Sequence, residues 1–479
     1  MRKTITHSLH SNNRKIAKPV VATLTIFFLN IQPSLGDQYH YKNFIIGDRA
    51  IGLGGAYTAI SDDASGIFYN PAGTAFAQNS DISGSANAFY NSKIIYRGAV
   101  SGNDFVEEST GTVPSFFGGL QKLDKILPGF VLSFGIYLNN NDYKDQNDFM
   151  LNINRGVPTP QCTPGVNRNP IILERFHRTA NERAYTFNAS MGLAYRVRPK
   201  FAVGVGLNYV NVDELTQEYQ DARNLTNVCQ SGTMNEQVTL TTQNARQRLI
   251  AYGLQPILSL QALLTEKLSW GLTFKYTQFL SQAYQIDSES RFTQVAKDSQ
   301  QSIDDANGSG VLVSSLLAQV NGNVHSTNPL GRSSFVISNG LAYFYSPKLL
   351  FSLDVDYFSA SKDAEDILHI GNLYRRNTVI NYSLGTEYYV LSSLPLRFAF
   401  FTNNDARPKL NSNQSGQADH IDYNGGSLFL SWVQPNSQLG AGVVYQQGRG
   451  EAQKIAGSTA IQRVDAKSVT LVISATHSL

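Results

Sequence analysis

Leu268-Ser269-Trp270-Gly271-Leu272-Thr273-Phe274-Lys275-Tyr276-Thr277 alternates from end to end. Residues 268, 270, 272, 274 and 276 are large and apolar, and those between are small or polar, one of them a lysine. Successive side chains of a strand point to opposite faces, so this segment has one apolar and one polar face. Phe201 to Val210 repeats the pattern, with Val203, Val205, Leu207 and Tyr209 against Gly204, Gly206 and Asn208. Tyr185 to Tyr195 does so again, with Phe187, Met191 and Leu193 against Asn188, Ser190 and Gly192.

The strands fall into hairpins with two kinds of connection. Tight turns are expected at Arg198-Pro199-Lys200, Thr265-Glu266-Lys267, Ser346-Pro347-Lys348, Leu391–Leu394 and Pro435-Asn436-Ser437. Longer polar connections are expected near 100–110, 140–181, 218–244, 285–331, 361–374, 405–422 and 449–465. Short turns on one side and long loops on the other are the pattern of a transmembrane antiparallel β-barrel. Fourteen strands are expected, near 82–98, 112–121, 129–139, 182–197, 200–215, 246–264, 268–283, 333–346, 348–359, 376–390, 394–404, 423–434, 438–448 and 466–478. An even count places both ends on the short-turn, periplasmic side. The last strand, 466–478, leaves Leu479 in phase with its apolar face, where many such barrels carry an aromatic residue.

Composition agrees. Only 16% of the 479 residues are charged, against about 25% in an ordinary soluble domain. Tyr (24), Phe (26) and Gly (38) are plentiful, and Cys is scarce (2). A mean hydropathy of −0.21 excludes a bundle of membrane helices. A large soluble sandwich or propeller would show steadier turn spacing and a more charged outer face.

The N-terminus reads as an export signal. Arg2, Lys3, Arg14, Lys15 and Lys18 precede an apolar stretch from Val20 to Leu29, and Ser34-Leu35-Gly36 supplies small residues for cleavage after Gly36. The stretch is shorter than the roughly 20 residues of a spanning helix. Removing residues 1–36 takes away five basic and no acidic residues, leaving 34 basic against 36 acidic. That balance gives no reason to expect a nucleic-acid partner.

Residues 37–80 do not alternate. Gly52, Gly54 and Gly55 permit tight backbone approaches. Ser61, Asp62 or Asp63 can cap a helix start. Pro71 keeps Asn70 out of the helical region and ends any helix there. The stretch Gly47-Asp48-Arg49-Ala50-Ile51-Gly52-Leu53-Gly54-Gly55-Ala56, followed by Asp62-Asp63-Ala64 and Asn70-Pro71-Ala72-Gly73, resembles the N-terminal signature of the FadL/TodX family. These are outer-membrane transporters of long-chain fatty acids and other hydrophobic compounds. The resemblance covers about 27 residues, and the barrel sequence adds no motif.

The resemblance implies an architecture and a route. Residues 37–80 would be a hatch inside the barrel formed by 81–479, with Gly52, Gly54, Gly55, Asp62, Asp63, Asn70 and Pro71 in the hatch or its gating. A hydrophobic molecule would be caught by extracellular loops, pass to a pocket and leave sideways into the membrane by passive diffusion after the hatch shifts. The apolar run Gly310 to Val320, with Val311, Leu312, Leu316 and Leu317, is either a capture surface or a short helix stapling the loop to the barrel mouth.

Strand phase points Lys275, Asp354, Asp356, Glu387 and Arg397 into the lumen. Lys275 and Arg397 are the candidates for a ligand head group, against the alternative that these charges pair with one another. Cys162 and Cys229 fall in different extracellular connections and can bridge them.

No cofactor or metal is expected. None of His40, His177, His325, His369, His420 and His477 lies mid-strand beside a nucleophile, and no metal-ligand spacing occurs. An enzyme is not expected. Two rival functions remain: a general porin, and a surface protein that binds a protein partner through its extracellular loops.

Overall fold

The computed structural model describes residues 39–479 except 101, 154–170, 231–232, 297–311, 319–323, 327–329, 332, 362–375, 414–416 and 454–459. Residues 1–36, read above as an export signal, lie outside these. Sixteen strands follow in order: β1 (Asp81–Val100), β2 (Asn103–Lys122), β3 (Phe130–Ile153), β4 (Ile171–Arg198), β5 (Phe201–Gln230), β6 (Thr233–Leu263), β7 (Leu268–Ala296), β8 (Leu312–Ala318), β9 (Val324–Ser326), β10 (Ser333–Ser346), β11 (Leu349–Phe358), β12 (Val379–Leu391), β13 (Leu394–Asn403), β14 (His420–Gln434), β15 (Ser437–Ala452) and β16 (Gln462–Ser478). All pairings are antiparallel. β16 pairs with β1 and β7 with β10, which closes a wall of fourteen strands; β8 and β9 are short additions on the far part of β7.

Closure follows from the alternation. Met191, Val205, Leu258, Leu384, Phe400 and Ile473 stand on the outer face with about half or more of their surface exposed. Their neighbours Ser190, Ser259, Ser383 and Ser474 are buried on the inner face. An outer face of this kind needs lipid, and in lipid an open sheet edge leaves backbone groups unbonded. Tyr195, Tyr345, Tyr388 and Trp432 are exposed close to the short turns, as an interfacial girdle requires. The chain ends there too: Leu479 N–H donates to Ser80 carbonyl at 2.8 Å, with the Leu479 side chain exposed on the apolar face.

The extracellular connections differ from expectation. The stretches 140–153 and 171–181, most of 218–244, and 285–296 are strand, not loop. β5 and β6 run for 30 and 31 residues, about three times the 9–11 that cross a bilayer. Beyond the apolar band the outer face no longer meets lipid, so alternation is no longer required there. Stretches such as Thr239-Leu240-Thr241-Thr242-Gln243 are nonetheless held by a complete ladder to β5. Leu312, Leu316 and Leu317 lie in β8, paired with β7, and not in a helix. Cys229 lies near the tip of β5, opposite Met234, again in a strand and not a loop. Cys162 and Val311 lie outside the described residues.

Residues 39–80 lie inside the wall. The first described residue lies at the loop end, where Ala406 N–H donates to Tyr39 carbonyl at 3.0 Å. It descends to two short helices, α1 (Asp48–Gly52) and α2 (Gly66–Tyr69), and a 3-10 helix over Pro71–Phe76 near the short turns, then enters β1. Ile46, Ile51, Leu53, Tyr57 and Ile67 form its core with Phe401 and Phe429 of the wall.

Candidate functional site

The inner segment carries little regular structure; its own turns satisfy many main-chain groups, and others must find partners elsewhere. The wall supplies them from inward serines on several strands. Ser427 donates to Gly52 carbonyl (3.3 Å), Ser383 to Gly54 (2.8 Å), Ser352 to Ala56 (2.7 Å) and Ser269 to Ala59 (2.6 Å). Ala72 N–H donates to Ser259 Oγ at 2.9 Å. Inward glycines let the two backbones meet. A Cβ at Gly385 would stand 2.8 Å from Leu53 carbonyl oxygen, and one at Gly340 would stand 2.9 Å from Ala59 nitrogen. One at Gly271 would collide with Thr58 carbonyl oxygen. The small inward residues are therefore a seat for protein.

Charge fixes the same seat. Glu387 of β12 accepts from Arg49 Nε (3.0 Å) and Nη2 (2.9 Å) and from Arg397 Nε of β13 (2.6 Å). Arg49 also reaches Asp62 at 2.8 Å, and Arg397 donates to Ser431 Oγ at 2.7 Å. Asp354 of β11 accepts the N–H groups of Tyr57 (3.0 Å) and Thr58 (2.8 Å). Lys42 lies 2.8 Å from Asp356. Lys275 of β7 donates to Phe68 carbonyl at 2.5 Å, with its ammonium 4.2 Å from the centre of the Phe68 ring.

The residues singled out in the N-terminal stretch fall into this arrangement. Gly54 and Gly55 have φ of 61° and 81°, the left-handed region that favours glycine. A Cβ at Gly52 would meet Arg397 at 2.7 Å. Asp62 also accepts from Tyr57 hydroxyl at 3.2 Å. Asp63 accepts from Ser65 N–H (2.8 Å) and Oγ (2.6 Å); burial pushes its carboxyl up to about 6. Asn70 binds both ways: Nδ2 donates to Thr58 (2.7 Å) and Leu260 (3.1 Å) carbonyls, and Oδ1 accepts from Ala72 N–H at 3.1 Å. Pro71 opens the 3-10 helix. Lys275 and Arg397 point inward and are engaged by Phe68 and Glu387. Arg49 and the serine and glycine positions were not anticipated as contacts, although inward glycines on one strand after another were there to be read.

One seam interrupts the wall. The β2–β3 ladder runs from Lys122↔Val131 to Phe116↔Tyr137 and ends there. Above it β2 stays paired with β1, and β3 with β4. Seven rungs measure about 23 Å along a strand. With a tilt of about 45° the opening starts about 16 Å above the turns, inside an apolar band about 25 Å tall. Three irregularities cluster at this height. β1 shifts register against β16 and β2 just after Asn87, and β3 shifts against β4 between Leu138 and Asn140. Pro114 of β2 has no N–H to donate. Behind the top of the ladder sits α2, with the Phe68 ring edge-on to Tyr137 at 5.0 Å and Ile67 against Gly135 and Gly192.

Above the inner segment lies a chamber of about 230 Å³. Tyr39 and Phe44 of the inner segment line it, with Tyr90 and Tyr96 of β1, Glu182 of β4 and Glu214 of β5. β1 and β4 are the strands that flank the β2–β3 pair. Among the described residues no group of three His, Cys, Asp or Glu side chains is placed to hold a metal.

No family model matches the chain, and no curated protein matches it in sequence. Solved structures do match in fold. A FadL homologue of Pseudomonas aeruginosa superposes with a TM-score of 0.55 at 10% identity, over 91% of this chain and 99% of that one. The CymD monoaromatic hydrocarbon channel (TM-score 0.48, 13% identity, 91% of this chain and 97% of that one) and the P. putida toluene transporter TodX (0.48, 12%, 90% and 97%) also match. The fold implied by the N-terminal resemblance is the fold found.

Proposed function

We propose that the protein is a passive outer-membrane channel for hydrophobic molecules, closed along its axis by residues 37–80 and open sideways between β2 and β3. In this reading residues 1–36 are the export signal and 81–479 the barrel. The observation that supports it most is the end of the β2–β3 ladder within the apolar band, with the aromatic α2 directly behind it. Free strand edges in lipid are costly, so a wall that opens at membrane depth needs a reason. A path from a water-filled mouth into the bilayer is such a reason. The axial route is filled: hatch residues such as Ile46, Leu53, Tyr57 and Ile67 have almost no exposed surface. A general porin requires that route to be open. The described charged and polar groups of the seat hold the hatch, and the fold matches that of channels, so we infer a protein that is not an enzyme.

Proteoliposomes test the reading with two solutes. Entry of a hydrophobic fluorophore such as N-phenyl-1-naphthylamine into the bilayer should be faster than in protein-free vesicles, while a small sugar stays outside. Equal rates of fluorophore entry with and without protein would refute it.

A further inference from the structure

The short-turn rim of the barrel has two chemically different halves. We propose that its basic half binds anionic phospholipids of the inner leaflet, such as phosphatidylglycerol, in preference to zwitterionic ones. The turns β2–β3, β4–β5, β6–β7 and β10–β11 join eight strands that are neighbours in the wall. They carry Lys122, Lys125, Arg198, Lys200, Lys267 and Lys348 against Asp124 and Glu266. The remaining turns, 391–394 and 434–437, and the chain at 78–80 and 476–479, carry no lysine, arginine, aspartate or glutamate. Main-chain bonds join the basic turns into one arc. Arg196 N–H donates to Gly129 carbonyl (2.9 Å), Leu263 N–H to Lys200 carbonyl (2.8 Å) and Phe344 N–H to Lys267 carbonyl (2.8 Å). The Arg196 side chain itself is turned to the hatch, where it donates to Ala75 carbonyl, and is not part of the arc.

The basic side chains are open to a ligand. Lys125, Arg198, Lys200, Lys267 and Lys348 are exposed. Lys122 lies 3.5 Å from Asp124, whose carboxylate also accepts Gly129 N–H at 3.1 Å. Exposed apolar residues stand among them: Ile126 is 79% exposed, and Leu127 and Leu264 about half. The N–H groups of Ile126 and Leu127 both donate to Leu123 carbonyl at 2.8 Å, which fixes this tip of the β2–β3 turn. Apolar tips beside lysines suit a bilayer interface, where the stems lie against acyl chains and the charges reach the phosphates. Height agrees. Tyr195 stacks on Phe130 at 4.4 Å, and Tyr343 and Tyr345 are exposed above the β10–β11 turn. Such a girdle lies at head-group level, so the rim meets the inner leaflet there. An acidic periplasmic protein would answer the charges alone; the apolar side chains among them favour lipid.

The chain's two tryptophans sample the two halves. Trp270 lies on the outer face of β7, three residues beyond Lys267, and Trp432 on the outer face of β14, three residues before Pro435. The test places the full-length protein in phosphatidylcholine vesicles holding a minority of lipid brominated along its acyl chains, in both leaflets. The brominated lipid is either phosphatidylglycerol or phosphatidylcholine, at one mole fraction. Trp432→Phe leaves Trp270 as the reporter, and Trp270→Phe leaves Trp432. At low salt brominated phosphatidylglycerol should quench Trp270 at least about twofold more than brominated phosphatidylcholine, and high salt should shrink the difference. The two lipids should quench Trp432 alike. In the Lys200→Gln, Lys267→Gln, Lys348→Gln triple variant the preference at Trp270 should be lost. The excess quenching in the two-tryptophan protein, and its loss in the lysine variant, stand as a test even if a tryptophan variant does not fold. Equal quenching of Trp270 by the two lipids overturns the proposal and turns the basic arc over to an acidic protein partner. An equal preference at Trp432 overturns the assignment to one half of the rim. The proposal depends on the barrel's place in the outer membrane and not on what passes through it, so neither result bears on the channel reading.

Discussion

Glu387 stands between two guanidinium groups from distant parts of the chain, Arg49 in the hatch and Arg397 in the wall. All three side chains are largely withdrawn from water, with 3% exposure at Glu387, 2% at Arg397 and 17% at Arg49. A buried pair holds only while both signs are present; removing one partner typically costs about 3–5 kcal/mol. Glu387→Gln should therefore loosen the hatch without unfolding the barrel, whose ladders do not pass through that side chain. The expected result is frequent channel openings in planar-bilayer recordings where the natural protein is silent, with unchanged heat-modifiable mobility on gels. Strand phase alone pointed Glu387 and Arg397 inward and raised the alternative that luminal charges pair. The third member, Arg49, sits in a segment with no periodicity, so nothing local related it to β12.

At the scale of elements, the strands were readable and their upper ends were not. Alternation marks a strand only where its two faces meet different media, as between Phe201 and Val210. In Thr233–Gln247 no two-residue alternation runs, and the sequence resembles a loop although the backbone is fully paired with β5. The seam was unreadable for a related reason: β2 and β3 keep strand geometry on either side of it, and only their mutual pairing stops. The seat was half legible. Glycines and serines at inward positions suggested a wall facing water, and the structure shows them facing the hatch backbone. Gly385→Val tests the difference. Its first added carbon would press on Leu53 carbonyl at 2.8 Å, so the hatch must shift while β12 gains a good strand former. Increased protease access to residues 48–70 in a barrel that still folds is the expected outcome; a hatch as protected as before would show that the close approach is not required.

At the scale of the whole molecule, the wall and the hatch divide the work. The wall closes through β16–β1 and β7–β10 without help from residues 39–80, and hatch residues plug its axis at the short-turn end. In the proposed reading the seam is the other exit, and the chamber's lining includes residues of β1 and β4, the strands that flank it. This division makes the hatch removable in principle and essential for the barrier. Liposome swelling in a small sugar tests it most directly, comparing the intact protein with a form lacking residues 39–77. The account predicts no swelling with the intact protein and rapid swelling with the deleted form. Rapid swelling with the intact protein, or none with a folded barrel lacking the segment, would contradict it.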